Sequence, residues 1–441
     1  MTAAWVAWAV WAAWAWTACS EPQRRHLDAP RVERHVMSEA SDGPALLIVK
    51  GSFAQYGGAE RDVVRQLETW LQVFSSIRIA TLHGHPDMEA EAARLGIPVF
   101  TPTQTWKGDT SVLVRITAAS SRAASRAWRA FLSSEDGLAS LDGVDVVHLV
   151  SGEGSLEAAD ALPADLPLHV HMLEPRRGLH GETSLWAKID GRQPRPVVLT
   201  RLLLTAPRRR DRALVRRMAA RRRCAISGNS PYIQSRIKAV FGLDAGVFLP
   251  CVDTAMWARE GPAPEPEGHV LTVGRAAWAK GTWECIGMLV GTGLALVHVG
   301  GGDAADLERL KAHATSVGVA LDVAPRLSHD DLAHKMATAR AVISFAHGEP
   351  FGLTPVEAHA VGTPALMVND GGFGTTIVDG VSGRLLPRND RAAWHAALEE
   401  AADMDTRASW SEAGRARIEA LGLAPASRAA DLRAIVDRLL T

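Results

Sequence analysis

An alternation that repeats along the chain constrains the fold most: a short apolar run, a glycine-containing turn, then an amphipathic stretch. Its first occurrence is the apolar run 45–49, followed by Gly57-Gly58 and by a helical pattern over 59–74. Strands buried on both faces are continuous apolar runs, and the helices between them cover a parallel sheet. The alternation therefore predicts an α/β fold with Rossmann-like layering.

Two sets of apolar runs lie on either side of a proline-rich stretch. Residues 258–268 contain Pro262, Pro264 and Pro266 among charged residues, and we expect an interdomain linker there because proline removes a backbone donor. The first set of predicted strands continues at 77–82, 144–149, 168–172, 225–227 and 247–249. The second set covers 269–273, 295–299, 320–323, 341–345 and 365–368.

This pattern predicts two Rossmann-like domains, since 441 residues exceed what one hydrophobic core supports. Parallel sheets bind ligands beyond the carboxyl ends of their strands, so we expect a site in a cleft between the domains. The predicted divisions are an N-terminal extension (1–40), a first domain (41–257), the linker (258–268), a second domain (269–422) and a C-terminal helix (423–441) that can pack back on the first domain.

Charge and cysteine content narrow the class of protein. The formal net charge is -1, which argues against a nucleic-acid-binding protein. The four cysteines, Cys19, Cys224, Cys251 and Cys285, form no CxxC pair. That usage is typical of a reducing compartment and predicts a cytoplasmic protein.

The first twenty residues are unusual because they carry no charged side chain and place five tryptophans among alanines. The apolar run is short for a membrane span, which needs about 20 apolar residues, and it lacks the basic start of a secretory signal. Three explanations stay open: an upstream extension with Met37 as the working start, a signal whose poor lipoprotein site includes Cys19, and an interfacial anchor.

Glu349 and Glu357 flank a turn that follows the predicted strand 341–345. We expect Thr354 to be the helix N-cap, which would place Glu357 in a capping box, and this structural explanation needs no function. A functional explanation is that the amides of Gly352, Leu353 and Thr354, at a helix N-terminus, favour a bound phosphate.

Two glycine turns precede this segment in the same predicted domain. Gly274 and Arg275 follow the strand 269–273, and Lys280 lies five residues after Arg275. The two cations would reach the sheet edge that also carries the 349–357 turn, although a solvated loop pair is the structural alternative. Gly301, in a glycine run after strand 295–299, is a weaker indication, because such turns are common.

Histidines occur in two of the predicted strands of the first domain. His169 and His171 are two residues apart in the run 168–172, so they point to the same face. His171 is nearer the carboxyl end of the strand and is therefore the better candidate for the cleft, while one of the two can be a core histidine. His148, which ends another strand, is a weaker candidate.

Together, these spacings resemble the family 4 retaining glycosyltransferases of the GT-B fold, from residue 45 to the C-terminus. The most specific match is the pair of glutamates with seven residues between them. The matching pieces are Gly57-Gly58-Ala59-Glu60, His171, Leu249 to Asp253, Gly274-Arg275 to Lys280-Gly281, Glu349 to Glu357, and Asp379 to Gly383.

The resemblance implies a role for each matching position in the second domain, which would hold the donor. It implies that Arg275 and Lys280 bind the donor diphosphate, that Glu357 accepts from the ribose hydroxyls, and that Glu349 lies near the transferred sugar. The residue chemistry agrees for Glu357, because a carboxylate suits a diol.

The resemblance also implies roles in the first domain, which would hold the acceptor. Gly57 and Gly58 would let the first helix approach the diphosphate, although a tight turn explains them equally well. His171 would meet the sugar or the acceptor. The catalytic candidates are thus His171, Glu349, Arg275 and Lys280, and the donor-binding candidates are Gly57, Gly58, Gly274, Gly301, Gly352, Leu353, Thr354 and Glu357.

The implied reaction retains the anomeric configuration, with the leaving phosphate helping to deprotonate the acceptor. It implies a nucleotide-diphosphate sugar as co-substrate, a glycan, lipid-linked or small-molecule acceptor, polysaccharide biosynthesis, and no metal or other cofactor. The alternatives are an epimerase or phosphorylase of the same fold, and a non-catalytic nucleotide-sugar-binding protein. A phosphorylase would need a lysine for its pyridoxal cofactor, and no distinctive candidate is evident.

Three stretches depart from the pattern or need another explanation. Residues 371–376 replace a glutamate that many relatives carry. The arginine-rich stretch from Arg208 to Arg223 predicts a helix with Leu214, Val215 and Met218 buried; its basic face is either merely solvated or docks peripherally on the anionic inner face of the membrane. We interpret Asp403-Met-Asp405 as a chance Asp-x-Asp, because it falls in a helical region.

Overall fold

A computed structural model describes residues 42–106, 108, 119–181, 187–193, 196–257, 264–325 and 327–441. The N-terminal extension, with its tryptophans, Cys19 and Met37, lies outside the described residues. So does the part of the predicted linker from 258 to 263.

The described residues form two parallel sheets, each with helices around it. The first sheet has the order β3-β2-β1-β4-β5-β6-β7 and the second β10-β9-β8-β11-β12-β13. The strands of the first are Ala45–Lys50, Ser76–Thr81, Val99–Phe100, Val146–Val150, Leu168–Met172, Cys224–Gly228 and Gly246–Val247 (β1 to β7). Those of the second are His269–Val273, Ala295–Val299, Leu321–Ala324, Val342–Ser344, Ala365–Val368 and Arg384–Leu386 (β8 to β13).

Helices connect the strands of both sheets. In the first domain they are Gly58–Trp70, Pro86–Arg94, Ala119–Leu132, Glu135–Leu141, Arg177–His180, Val197–Leu203, Thr205–Ala219 and Pro231–Phe241 (α1 to α8). The later helices are Thr282–Met288, Ala304–Val317, His329–Ala337, Leu353–Val361, Phe373–Thr376, Arg391–Glu400, Met404–Leu421 and Pro425–Leu440 (α9 to α16).

These elements begin and end where local chemistry requires. All six residues of β1 are buried, as expected of a central strand covered on both faces. Asp303 caps the start of helix α10, and its carboxylate accepts from the amide of Ala305 at 2.9 Å; Gly318, with a left-handed φ of 73°, caps the end. The short edge strand β3 was not predicted, because two partly buried residues leave no periodic pattern.

The C-terminal helix α16 packs on the first domain. Its apolar residues Leu432 and Val436 are fully buried in one cluster with Leu46 and Trp70. In addition, Arg433 donates from Nη1 to the carbonyl of Val73 at 2.7 Å. The last helix of the chain is therefore part of the core of the N-terminal domain.

The arginine-rich stretch forms helix α7, and Leu214, Val215 and Met218 are buried as predicted. Part of its basic face has an internal role. Arg212 and Arg216 donate from Nε to the carbonyls of Val240 and Phe241, at 3.0 and 3.3 Å. These carbonyls end helix α8, so the arginines satisfy helix-terminal acceptors that would otherwise lack partners.

The order of the strands confirms the expected α/β fold class with two Rossmann-like domains. In each sheet, successive strands are added toward one edge up to the third strand and toward the other edge from the fourth. This switch lies between β1 and β4 in the first sheet and between β8 and β11 in the second. Ligands bind open parallel sheets at such switch points. We therefore expect a ligand site at the loops that follow β8 and β11.

Candidate functional site

Two glycine turns pack closely against each other at the carboxyl edge of the second sheet. Gly274 and Gly300 have φ values of 146° and 138°, and a Cβ on Gly300 would lie 2.3 Å from the carbonyl oxygen of Gly274. The amide of Ala276 donates to the carbonyl of Gly301 at 2.8 Å. Only residues without a Cβ allow this approach, so the glycines fix the path of the loop that carries Arg275 and Lys280.

Lys280 and Glu349 meet at the switch point between β8 and β11. Lys280 Nζ lies 2.8 Å from Glu349 Oε2, and the two side chains are 35% and 19% exposed. Burial raises the pKa of Glu349, but Lys280 and then Arg177 outweigh it, so the net pKa lies below its ordinary value. Glu349 is thus held as a carboxylate. Arg275 lies on the same loop and is exposed.

Helix α12 begins two residues earlier than predicted, and Thr354 is not its N-cap. The N-cap is Gly352, with a left-handed φ of 94°, so Leu353 and Thr354 are the first helical residues. A Cβ on Gly352 would lie 2.8 Å from the Phe373 ring, which favours glycine here. No side chain caps this end, which leaves first-turn amides of α12 available to an anion.

Glu357 therefore lies outside the predicted capping box, in the second turn of α12. Burial raises its pKa, while Arg61 and Arg65 of helix α1 and His329 oppose that rise. The loss of water around the carboxyl is the largest influence on this pKa. Two arginines of the opposite domain, Arg61 and Arg65, nevertheless favour the ionised form of this carboxyl from across the cleft.

The N-terminus of helix α1 meets that of α12. A Cβ on Gly58 would lie 3.7 Å from Leu353 Cδ1, although the two residues belong to different domains. Gly57 is the N-cap of α1, and its amide donates to the Glu60 carboxylate at 3.0 Å. Lys50, buried at the end of β1, lies 3.1 Å from the same carboxylate. Two helix N-termini thus converge on one point of the cleft.

The loop that carries Glu349 rests on Arg388, which follows β13. Its guanidinium donates to the carbonyls of Phe345 and Ala346 at 2.7 and 3.2 Å. It also pairs with Glu284 and Asp370, both at 3.0 Å. One side chain therefore joins three parts of the second domain under the site.

A pair of glycines supports the same loop from the next strand. A Cβ on Gly371 would lie 2.5 Å from the backbone of Glu349, and one on Gly372 would lie 2.4 Å from the Pro350 carbonyl. The amide of Gly372 donates to the Glu349 carbonyl at 2.6 Å. This contact explains the departure noted at 371–376: backbone packs directly on backbone there.

We expect Arg388→Leu to lower the free energy of unfolding by about 2–3 kcal/mol, because it leaves partly buried acceptors without a donor. Urea unfolding followed by tryptophan fluorescence would measure this loss. Arg391→Leu is the matched control, since Arg391 is an exposed arginine that makes one hydrogen bond to a backbone carbonyl, that of Gly287. Equal urea midpoints for the two variants would contradict the supporting role of Arg388.

His171 is buried in the N-terminal domain, at the carboxyl end of β5. It is 2% exposed and makes a T-shaped ring contact with Phe248 at 4.9 Å, and its Nε2 has no hydrogen-bond partner among the described residues. His169 is on the same face, as the alternation predicts, and its Nδ1 lies 2.9 Å from His148 Nδ1. Burial lowers the pKa of His169 and of His171 to about 3.

The Asp-x-Asp at 403–405 has a structural role. Asp403 is the N-cap of α15, and its Oδ1 accepts from the amide of Thr406 at 2.8 Å.

Within the described ranges, no group of three His, Cys, Asp or Glu side chains is arranged to hold a metal ion. Within the same ranges, none of the helices has the length and apolar content to cross a bilayer.

Residues 253–417 match the sequence model of the family Glycosyl transferases group 1. A D-inositol 3-phosphate glycosyltransferase of Acidothermus cellulolyticus is 30% identical over 281 residues, which cover 60% of this chain and 56% of that protein. A glycogen synthase of Mycobacterium tuberculosis is 32% identical over 177 residues, 38% of this chain and 41% of that protein. The chain thus matches only about half, or less, of the length of these curated relatives.

Solved structures resemble the whole described fold. The Anabaena protein HepE, crystallised in complex with UDP and glucose, superposes with a TM-score of 0.62 at 14% identity, covering 90% of this chain and all of that one. At this identity the likeness establishes the fold alone. The match to the family model, residues 253–417, includes Lys280, Glu349 and Glu357.

Proposed function

We propose that this protein is a glycosyltransferase that moves a sugar from a nucleotide-diphosphate sugar to a hydroxyl acceptor. The observation that carries the proposal is the Lys280–Glu349 pair at the switch point of the second sheet. The helix N-termini at Gly58 and Leu353 converge in the same cleft. A cation and the first-turn amides of α12, beside the N-terminus of α1, suit a diphosphate.

The geometry supports a division of roles. Lys280, Arg275 and the amides of α12 would hold the diphosphate and stabilise the charge that develops on it as it leaves. Glu349, kept ionised by Lys280, would bind hydroxyls of the transferred sugar or stabilise positive charge at its anomeric carbon. Glu357 would accept from the ribose hydroxyls, and Gly274 and Gly301 would shape the turns beside it.

We further propose, as finer parts of the same function, a family 4 retaining reaction without a metal or other cofactor. In this reaction the leaving phosphate takes the acceptor proton on the face from which it departs, so no side-chain nucleophile is needed. Catalysis then comes from positioning and from charge stabilisation. A glycan or lipid-linked acceptor and a role in polysaccharide biosynthesis in the cytoplasm complete the proposal.

A donor panel tests the reaction class. The protein would be incubated with nucleotide sugars, beginning with UDP-glucose, with and without D-inositol 3-phosphate or a glucan, the chemistry named for the relatives. Release of nucleoside diphosphate with transfer to the acceptor, and retained configuration in the product by NMR, would support the proposal. A 2-epimer would indicate an epimerase instead, and binding without any product would indicate a non-catalytic binding protein.

We expect Glu357→Gln to weaken donor binding by about 10- to 100-fold, because hydrogen bonds to a charged acceptor contribute about 1.5–3 kcal/mol. Isothermal titration with the nucleotide sugar measures the loss. Glu412→Gln is the control, since Glu412 is an exposed glutamate of α15. Unchanged donor affinity in Glu357→Gln would remove the ribose role from this residue.

Contact with an anionic membrane is a separate part of the proposal. Helix α6, directly before the arginine-rich α7, exposes Val198 and Leu202 by 77% and 70%. Arg209 and Arg210 in the first turns of α7 are also exposed. Apolar side chains beside exposed arginines suit the interface of an anionic bilayer, the surface that a lipid-linked acceptor would occupy.

Vesicle flotation of a protein that starts at Met37 tests this membrane contact. We expect binding to anionic vesicles, and a loss of about tenfold for each of Val198→Asp and Leu202→Asp, because each removes an exposed apolar side chain that would become buried in the bilayer interface. Leu138→Asp, at a 59% exposed leucine of α4, is the matched control. No flotation of the parent protein would end the membrane proposal and leave the transferase proposal intact.

A further inference from the structure

The N-terminal domain holds the backbone on both sides of Glu349. Arg177 Nη2 donates to the carbonyl of Gly348 at 3.4 Å, and Ser230 Oγ donates to the carbonyl of Pro350 at 2.5 Å. Gly348 and Pro350 are the residues directly before and after Glu349. The peptide that carries this carboxylate is therefore held from the opposite side of the cleft at two adjacent points.

Both donors are themselves fixed within the N-terminal domain. Arg177 Nη2 also lies 2.9 Å from the carboxylate of Glu174, on the loop after β5. Ser230 is the N-cap of α8, and its Oγ accepts from the amide of Ile233 at 3.1 Å. Since neither donor is a freely rotating surface side chain, each can impose a position on its acceptor.

Close packing accompanies these hydrogen bonds. Gly348 has a φ of 58°, and a Cβ on it would lie 2.9 Å from Tyr232 Oη. Tyr232 is in the first turn of α8, two residues after Ser230. The start of α8 thus lies directly against the loop at 348–350, and separation of the domains would break all three contacts together.

We propose that Arg177 and Ser230 are positioning residues that set the Glu349 carboxylate for reaction, so that the donor site is complete only when the N-terminal domain is in place. This inference rests on the proposed glycosyltransferase function. Arg388 supports the same loop from within the second domain, and a loop supported from one side only would leave Glu349 imperfectly placed. Misplacement of a reacting group by about 1 Å costs up to about 100-fold in rate.

The two positioning residues act in different ways. Ser230 is uncharged and acts through geometry alone. Arg177 also contributes charge, and it lowers the pKa of Glu349 together with Lys280. Glu174 lies in the same charge cluster: burial raises its pKa, Arg177 lowers it, and the charge of Glu349 raises it further. Loss of the arginine should therefore change the pH dependence of turnover, whereas loss of the serine should not.

Four variants separate positioning from folding. Ser230→Gly removes the hydroxyl donor while glycine remains an acceptable N-cap, and Ser230→Thr restores both functions. Arg177→Gln removes the charge, and Arg177→Lys keeps it. We expect kcat to fall about 10- to 100-fold in Ser230→Gly and Arg177→Gln with donor affinity within about threefold of wild type, and to recover in Ser230→Thr. Ser235→Ala, at an exposed serine of α8, is the control.

The pH profile supplies a readout that a purely structural defect would not move. In Arg177→Gln the acidic limb of the kcat profile should shift to higher pH, because Glu349 loses one of the cations that lower its pKa. In Ser230→Gly and Arg177→Lys the limb should stay in place. A kcat equal to that of the wild type in both Ser230→Gly and Arg177→Gln would overturn the proposal.

Hydrogen–deuterium exchange measures the same positioning without turnover. The peptide that spans 346–352 should exchange faster in ligand-free Ser230→Gly and Arg177→Gln than in the wild type, and in Ser235→Ala it should not. Unchanged exchange in both variants would overturn the positioning role. Failure of the proposed function gives another result. The wild type itself would then turn over no donor, while hydrogen–deuterium exchange would still measure the protection of the 346–352 peptide.

Discussion

Lys280→Met should weaken binding of the nucleotide sugar by about 100-fold and lower kcat as well. The substitution removes a cation that we place on the donor diphosphate, a contact of about 1.5–3 kcal/mol. It also leaves the Glu349 carboxylate, 2.8 Å from Lys280 Nζ in the structure, without its ion-pair partner. Because Lys280 is the largest influence that lowers the pKa of Glu349, that pKa should rise in the variant.

Titration calorimetry and the pH profile of kcat measure the two effects separately. The acidic limb of the profile should move to higher pH, and the double variant Lys280→Met, Glu349→Gln should lose that limb. Lys311→Met is the matched control, since Lys311 is a 52% exposed lysine of the same domain that pairs with Glu308 at 2.9 Å. Donor affinity and kcat of Lys280→Met both within twofold of this control would contradict the proposed site.

Much of the fold could be predicted because parallel sheets leave a strong local pattern. The run 168–172 coincides with β5, and the run 295–299 coincides with β9. Such runs are apolar throughout, since both faces of the sheet are covered. Boundaries were less accurate at the edges: the run predicted at 247–249 is a strand only to Val247, where few neighbours constrain the backbone.

The start of helix α12 shows where local chemistry misleads. Threonine followed three residues later by glutamate fits a capping box, but the N-cap is Gly352 and the helix begins at Leu353. A left-handed residue can start the helix there because it packs under Phe373, which lies outside any local window. Caps are assigned from nearby residues, whereas this one is decided by packing from another part of the chain.

The supporting residues of the site could not be predicted for a related reason. Arg388 binds Glu284, which lies 104 residues away in sequence, and Arg177 reaches a carbonyl 171 residues away. Neither contact leaves a motif, because any basic residue after a strand looks the same in sequence. The one usable signal was the glycine pair Gly371-Gly372, which marks a close backbone approach. Lys280 and Glu349 were predicted at one sheet edge, and their roles stay predictions.

Acid should reduce the contribution of His171 to the stability of the N-terminal domain. Burial, with a smaller contribution from the positive charge of Lys50, lowers the pKa of His171 to about 3. The unfolded chain binds a proton near pH 6.5, while the folded chain does not until about pH 3. The free energy of unfolding therefore falls as the pH drops through 6.5, by about 1.4 kcal/mol per pH unit for this histidine.

Asp62, another buried group, opposes that change, so the prediction is a difference in stability between the wild type and a variant. Burial raises the pKa of Asp62 to about 7, which makes the folded state bind its proton first and adds stability as the pH falls from 7 to about 4. His171→Gln retains this contribution and removes only that of the histidine. The stability advantage of the wild type over His171→Gln should shrink by about 2.3 kcal/mol between pH 6.5 and pH 4.5, because the histidine of the unfolded chain is already half protonated at pH 6.5.

Urea unfolding at a series of pH values measures the difference, with His334→Gln, at an exposed histidine of α11, as the control. We expect the difference to change with pH because His171 is buried among His148, His169 and Phe248. A constant difference between wild type and His171→Gln across this range would contradict the lowered pKa of His171. The same variant also separates the two explanations of this residue. A core histidine predicts lost stability at neutral pH with kcat kept, whereas a histidine that meets the sugar or the acceptor predicts lost kcat at equal donor affinity.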